Sequence, residues 1–275
     1  MEGFNPPRKI TELVSETCQV KAKLSWLQLL ILGIFAGVYV GFGAELSTIV
    51  TYDMGERLGS GMARFMAGSV FSVGLMLVVI GGAELFTGNC LMALAVADRK
   101  INCIEMLKNS FWVYLANFIG SLILVGIMLG AGLWKVGEMG VGSKALEIAL
   151  YKCNLGWWEA FFRGIGCNWL VCLAVWLAMS SNSVVGKIFG IYFPIMAFVA
   201  SGFEHSIANM YFIPMGILLK NTLVAAKTGL DLANLSWGGF FLRNLIPVTI
   251  GNIISGAFFV GILYKIVYLG KNESR

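Results

Sequence analysis

The chain has 275 residues, 58% of them hydrophobic and only 13% charged, with a mean hydropathy of +0.80. Soluble domains carry roughly a quarter charged residues, so this composition speaks against a soluble helical protein and for one that lives in a bilayer. The net charge of +5 is modest and spread over loops, which gives nucleic-acid binding no basis.

Residues 1–25 carry Arg8, Lys9, Glu12, Glu16, Lys21 and Lys23 and lack the apolar core of a signal peptide. The spacing of Ile10, Leu13, Val14 and Thr17 predicts a short amphipathic helix lying on the membrane surface. Six apolar runs follow, at Leu27–Val50, Met62–Val96, Ser110–Trp134, Trp157–Met179, Ile188–Leu219 and Phe240–Leu269. About 20 residues cross the hydrocarbon as a helix, so the second and fifth runs are each expected to be one crossing with an interruption. Six crossings put both termini on one face. Taking that face as cytoplasmic collects eleven of the twenty Lys and Arg there, including Arg8, Lys9, Lys21 and Lys23 at one end and Lys271 and Arg275 at the other.

The two overlong runs contain the same polar phrase. Gly82, Glu84 and Asn89 in the second recur as Gly202, Glu204 and Asn209 in the fifth, and the second copy holds the only histidine, His205. Carboxylates and amides are costly to leave unpaired in hydrocarbon, so a break repeated in two halves points to a substrate path. Gly33-Ile34 with Gly37 likewise resembles Gly164-Ile165 with Asn168, and Ala116-Asn117-Phe118-Ile119 resembles Gly251-Asn252-Ile253-Ile254. Three pairs in the same order mark 26–134 and 157–269 as repeats, joined by an extracytoplasmic loop at 135–156 and followed by a cytoplasmic tail at 270–275. Three crossings per half make the second repeat inverted.

The fold class expected is therefore an all-α integral membrane protein of two inverted three-helix repeats, with helices 2 and 5 interrupted. Its 34 glycines suit close helix packing, and Pro194, Pro214 and Pro247 suit bends within spans. Cys18, Cys90, Cys103, Cys153, Cys167 and Cys172 show no metal or redox spacing and read as small hydrophobes. No metal or cofactor is implied. His205 reads as a hydrogen-bond donor in a dry interior, with Thr87 across the repeat axis either a helix-cap hydroxyl or its partner. Glu84 and Glu204 read as acceptors for backbone amides freed at the breaks, with Glu204 turned away from the face of His205.

The phrases Gly81-Gly82-Ala83-Glu84-Leu85-Phe86-Thr87, Ser201-Gly202-Phe203-Glu204-His205-Ser206-Ile207-Ala208-Asn209-Met210 and Asn244-Leu245-Ile246-Pro247-Val248-Thr249-Ile250-Gly251-Asn252 resemble the signatures of the formate/nitrite transporter family, over essentially the whole chain. Ile213-Pro214-Met215-Gly216 looks closer to the formate-channel branch, with the hydrosulfide channels next. The resemblance implies an aquaporin-like protomer with its own pore, a homopentamer in the cytoplasmic membrane, and passage of small monovalent weak-acid anions with or without protons. It implies His205 as the central histidine, Thr87 as the threonine of the interrupted second helix, Lys152 as the lysine of the loop before the fourth span, and Asn168 as that span's inward asparagine. It further implies Phe71, Leu75, Leu85 and Phe198 as apolar constrictions. In such a pore Lys152 would concentrate anions at the mouth, and a proton passed to formate, nitrite or hydrosulfide would yield a neutral acid able to cross.

Two other classes compete. A water or glycerol pore would fit inverted half-helices, but the chain lacks paired Asn-Pro-Ala boxes and such a pore has no use for one central histidine. An intramembrane enzyme would need a nucleophile–base pair or metal cluster, and one histidine without a suitable Cys or Asp grouping supplies neither.

Overall fold

The computed structural model describes residues 3–270, which are mostly helical and form no strand beyond one isolated bridge between Phe4 and Ser181. Of the sequence expectations, the basic residues Lys271 and Arg275 and the tail beyond Gly270 lie outside the described residues. In chain order the helices are α1 (Pro7–Ala22), α2 (Trp26–Thr51), α3 (Met54–Leu58), α4 (Ser60–Gly81), α5 (Phe86–Asn89), α6 (Met92–Ala97), α7 (Cys103–Ala131), α8 (Gly140–Asn154), α9 (Trp157–Ser180), α10 (Val184–Ala200), α11 (Ser206–Leu219), α12 (Leu223–Thr228) and α13 (Gly239–Leu269). Five of them, α2, α4, α7, α9 and α13, are long and apolar enough to cross a membrane.

Local sequence explains where several begin. Ser25 and Gln28 form a reciprocal capping box at α2, and Asn102 and Glu105 do the same at α7, each satisfying two backbone donors at a helix start. Pro7 opens α1, where its missing N–H is not needed. Inside α13, Pro247 removes a donor, and the turn before it widens so that Ile246 N–H reaches Phe241 O five residues back.

Glycine sets the closest packing. A Cβ on Gly37 would stand 2.1 Å from the Asn117 carbonyl, and one on Gly120 would stand 2.1 Å from the Ile34 carbonyl, so α2 and α7 touch backbone to backbone. In the other half Gly251 on α13 meets the Phe161 carbonyl of α9 in the same way.

Two segments differ from the sequence reading. The helix α1 does not simply lie on the bilayer: Ile10, Val14 and Cys18 are buried in one apolar cluster with Leu91, Trp176 and Val260. Burying that stripe against protein fixes the helix end, and with it Lys21, in a way a lipid surface could not. The stretch 135–156 is largely helix α8, so Lys152 stands on a helical last turn and not in an open loop.

Candidate functional site

The interruptions have matching construction. Each follows a glycine with left-handed backbone, Gly82 at φ +87° and Gly202 at φ +77°, which breaks the helical hydrogen-bond ladder without Cβ strain. The freed groups are then taken up by buried asparagines. Asn117 Oδ1 accepts from Phe86 N–H (3.0 Å) while its Nδ2 donates to the Gly33 and Glu84 carbonyls (2.8 and 2.9 Å). Asn252 Oδ1 accepts from Ser206 N–H (3.0 Å) while its Nδ2 donates to the Gly164 and Glu204 carbonyls (2.8 and 3.1 Å). One side chain thus satisfies three backbone groups, two in the break and one on the neighbouring helix.

The carboxylates do something other than the sequence suggested. Among the described residues neither Glu84 nor Glu204 accepts from a backbone amide; Glu84 is held by a lysine and an asparagine, Glu204 by a lysine and two asparagines, Asn209 and Asn244. Lys21 Nζ donates to Glu84 Oε1 (2.8 Å) and to Asn89 Oδ1 (2.9 Å), and Asn89 Nδ2 donates to Glu84 Oε2 (2.7 Å) and Asn109 Oδ1 (2.9 Å). Lys152 Nζ donates to Glu204 Oε1 (2.8 Å), and Asn209 Nδ2 donates to Glu204 Oε2 (2.7 Å) and Asn244 Oδ1 (2.6 Å). The physical reason for the correction is that the asparagines already satisfy the backbone, while a buried carboxylate needs a cation. Paired this way, neither is the bare charge that would repel an anion.

Between the clusters, Thr87 Oγ1 lies 2.9 Å from His205 Nε2, with Thr87 fully buried and His205 3% exposed. His205 is the N-cap residue of α11, and its Nδ1 accepts from Ala208 N–H (3.1 Å). A neutral ring accepting at Nδ1 carries its proton at Nε2, so Nε2–H donates to Thr87 Oγ1 and the threonine hydrogen is left free to donate elsewhere. The alternative of Thr87 as a cap is not realised, since Leu85 holds the N-cap position of α5. Asn168 is turned toward backbone: its Nδ2 donates to the Thr87 and Asn252 carbonyls (3.1 and 2.8 Å). It holds the threonine and lines neither of the cavities described next.

Those cavities approach the Thr87–His205 pair from either side. One, of about 400 Å³, reaches Lys21, Glu84, Leu75 and Leu85; the other, of about 520 Å³, reaches Lys152, Glu204, Phe71, Phe198 and His205. Phe71 and Phe198 meet edge to face at 5.7 Å, and Phe198 lies 5.9 Å from the imidazole. All four apolar residues named from the sequence are buried, two on each side.

Lys21, Asn109 and Asn244 were given no site role in the sequence reading, yet a signal for them existed. Lys21 precedes Gly33 by twelve residues and Lys152 precedes Gly164 by twelve; Asn109 precedes Asn117 by eight and Asn244 precedes Asn252 by eight. Extending the repeat outward from its recognised pairs would have found all three.

An all-helical protein with several apolar helices, two polar breaks and a histidine between two cavities is a multi-pass membrane protein of the transport class. The chain belongs to the formate/nitrite transporter family, whose description matches residues 8–266. It is 41% identical to a probable formate transporter of Methanothermobacter thermautotrophicus, over 97% of this chain and 98% of that one. It is 37% identical to the formate channel FocA of Escherichia coli strain K12, over 99% of each. A solved pentameric formate channel with formate bound superposes with TM-score 0.82 at 39% identity, covering 89% of this chain and 98% of that one.

Proposed function

We propose that the protein is a channel or proton-coupled transporter for small monovalent weak-acid anions, with formate as its substrate. The single observation that carries this is the Thr87–His205 hydrogen bond, which joins the two breaks between two cavities behind apolar residues. The relatives and the superposed channel bear formate in their names, which supports the choice of anion. In this reading the chain crosses the membrane six times as two inverted repeats, 26–134 and 157–269, with both termini on the cytoplasmic side of the inner membrane. It assembles as a homopentamer with one pore per protomer; the superposed channel is pentameric by name, which supports the assembly.

An anion enters a cavity drawn by its lysine, Lys152 from outside or Lys21 from the cytoplasm. At the centre it accepts a hydrogen bond from the Thr87 hydroxyl, which the imidazole orients. When the ring takes up a proton at Nδ1 in place of its bond from Ala208 N–H, its Nε2 proton passes through the Thr87 hydroxyl to formate, giving formic acid and a neutral ring, so proton and anion cross together. The neutral acid then slips between Phe71 and Phe198 or Leu75 and Leu85, where an ion would face the full cost of desolvation.

The test is uptake into proteoliposomes, with formate, nitrite and hydrosulfide measured side by side across external pH. Formate uptake that rises as external pH falls is expected, and a protein that moves none of the three anions would end the reading. Faster nitrite or hydrosulfide flux would replace formate as substrate. A stable monomer or dimer by mass in mild detergent would remove the pentamer.

A further inference from the structure

One buried ionisable pair plays no part in this path. Glu45 on α2 is 4% exposed and Tyr211 on α11 is 1% exposed, and neither lines the Lys21 or the Lys152 cavity. The Tyr211 hydroxyl donates to Glu45 Oε2 at 2.5 Å, while Oε1 has no partner among the described residues. Glu84 and Glu204 each hold a lysine; Glu45 forms no ion pair among the described residues. The ring of Tyr211 rests against Gly41, one turn before Glu45, where a Cβ would stand 3.2 Å from its Cδ2. Glycine makes the slot, and the carboxyl one turn on receives the phenol.

The repeat makes the pair conspicuous. Counting from Gly33 and Gly164, Glu45 matches Trp176; counting from Glu84 and Glu204, Tyr211 matches Leu91. Trp176 and Leu91 are buried together in one apolar cluster. Among the described residues neither side chain there makes a hydrogen bond, and apolar packing surrounds both. Where apolar packing suffices, a carboxyl and a phenol in a membrane interior bring desolvation cost and little adhesion. What they add is direction: one hydrogen bond fixes how α11 is turned about its axis. That helix presents His205 at its N-cap, and Ala208, Asn209 and Phe212 to the Lys152 cavity.

We propose that Glu45 is carried in the membrane as a neutral carboxylic acid and that, through Tyr211, it is a positioning residue for the helix presenting His205. An ionised carboxylate here would hold a full charge on one hydrogen bond with no cation, whereas the acid removes the charge and keeps the bond to Tyr211. The positioning part rests on the transport reading of His205; the protonation part does not.

Parent, Glu45→Gln, Tyr211→Phe and the apolar double variant Glu45→Leu/Tyr211→Leu are compared as pentamers in liposomes. The infrared difference between parent and Glu45→Gln should contain a carboxylic-acid C=O band that shifts in D2O; carboxylate bands in its place overturn the neutral acid, whatever the protein transports. Glu45→Gln, neutral and able to accept from Tyr211, should transport within about twofold of the parent, whereas Tyr211→Phe and the apolar double should lose about tenfold, the scale of a misplaced positioning group. The double variant should melt no lower than the parent, because apolar replacements of buried polar pairs are often neutral or stabilising. An apolar double with the parent's uptake and pH profile would reduce the pair to packing. A parent that moves no anion would defeat the transport reading and leave the infrared result to stand alone.

Discussion

The Lys21 and Lys152 clusters share a plan and differ in two side-chain hydrogen bonds: Lys21 alone also bonds its asparagine, and Glu204 alone also accepts from a second asparagine, Asn244 (3.1 Å). In both, a lysine at the end of a helix reaches a glutamate at a break, and an asparagine five residues on completes the cage. Lys21 bridges Glu84 and Asn89. Lys152 bonds Glu204 and sits over the Phe212 ring at 5.3 Å, leaving Asn209 Oδ1 with no partner among the described residues. The orientation of that amide is fixed, since its Nδ2 faces two acceptors. The surroundings diverge as well. The Lys152 cavity is also lined by Arg64, Lys144, Arg163 and Glu147, whereas Lys21 and Glu84 are the only charged residues lining the other. One mouth carries a surplus of positive charge and a lysine with spare donors; the other is close to neutral with its lysine more fully engaged. Local pairing is duplicated, and the field around it is not.

The largest effect belongs to the group both mouths share. His205→Phe should stop formate uptake altogether. His205→Asn should keep a polar group but reduce pH-driven accumulation by about a hundredfold, the scale of losing a positioned proton donor. Uptake against pH in liposomes of verified assembly reads this out, and a parent-like profile in His205→Asn would make the histidine a packing residue.

Removing the lysines separates the mouths. The sequence alone suggests that Lys152→Ala slows anion entry and leaves the fold intact; burial changes that expectation. The Glu204 side chain is 2% exposed, and stranding a buried carboxylate costs about 3–5 kcal/mol. Lys152→Ala should therefore destabilise strongly, and Lys152→Ala/Glu204→Gln should recover stability while uptake stays slow. Lys21→Ala should destabilise less, because the Lys21 and Glu84 side chains are 23% and 8% exposed, against 12% and 2% for Lys152 and Glu204. Thermal melts with initial rates at two ionic strengths check both; slowing at the Lys152 mouth should shrink with salt.

The break glycines should behave alike and so serve as the control. A Cβ on Gly82 meets nothing within 4 Å, and one on Gly202 meets only Arg163 Nη1 at 3.6 Å. Alanine at either should lower stability by about 1–2 kcal/mol, the cost of left-handed backbone for an L-residue. Unequal melting shifts would show that the two breaks are not mechanically equivalent.

The smallest effect is the most direct test of the Lys21–Asn89 contact. Asn89→Leu removes the hydrogen bond that Lys21 donates to the amide oxygen, for which Asn209→Leu has no counterpart, so it should cost more by about 1 kcal/mol, one net hydrogen bond. Equal losses would mean that Asn209 Oδ1 is satisfied in the membrane and that the mouths are closer to symmetric than their geometry indicates.

How much of this could be read from the chain varies with range. Apolar length, the doubled Gly-x-Glu phrase and the lone histidine are linear features, so the membrane class, the breaks, Thr87 and His205 were legible before any fold, whereas Lys152 stood out only through the resemblance to the family's signatures. Lys21 was legible only in principle, through its spacing from Gly33, because a lysine on an amphipathic helix looks like any interfacial cation until that helix is docked. The roles of Glu84 and Glu204 could not be read at all. Which partner satisfies a buried carboxylate depends on what else reaches it, and Asn117 and Asn252, distant in sequence, had already taken the backbone. Glu45 and Tyr211 lie 166 residues apart, with no pattern linking them. The sequence by itself determined which segments enter the bilayer and where they break, because hydrophobic length and left-handed glycine act locally. Tertiary structure alone decided which charge meets which, because pairing in a low-dielectric interior is settled by contact across the whole chain.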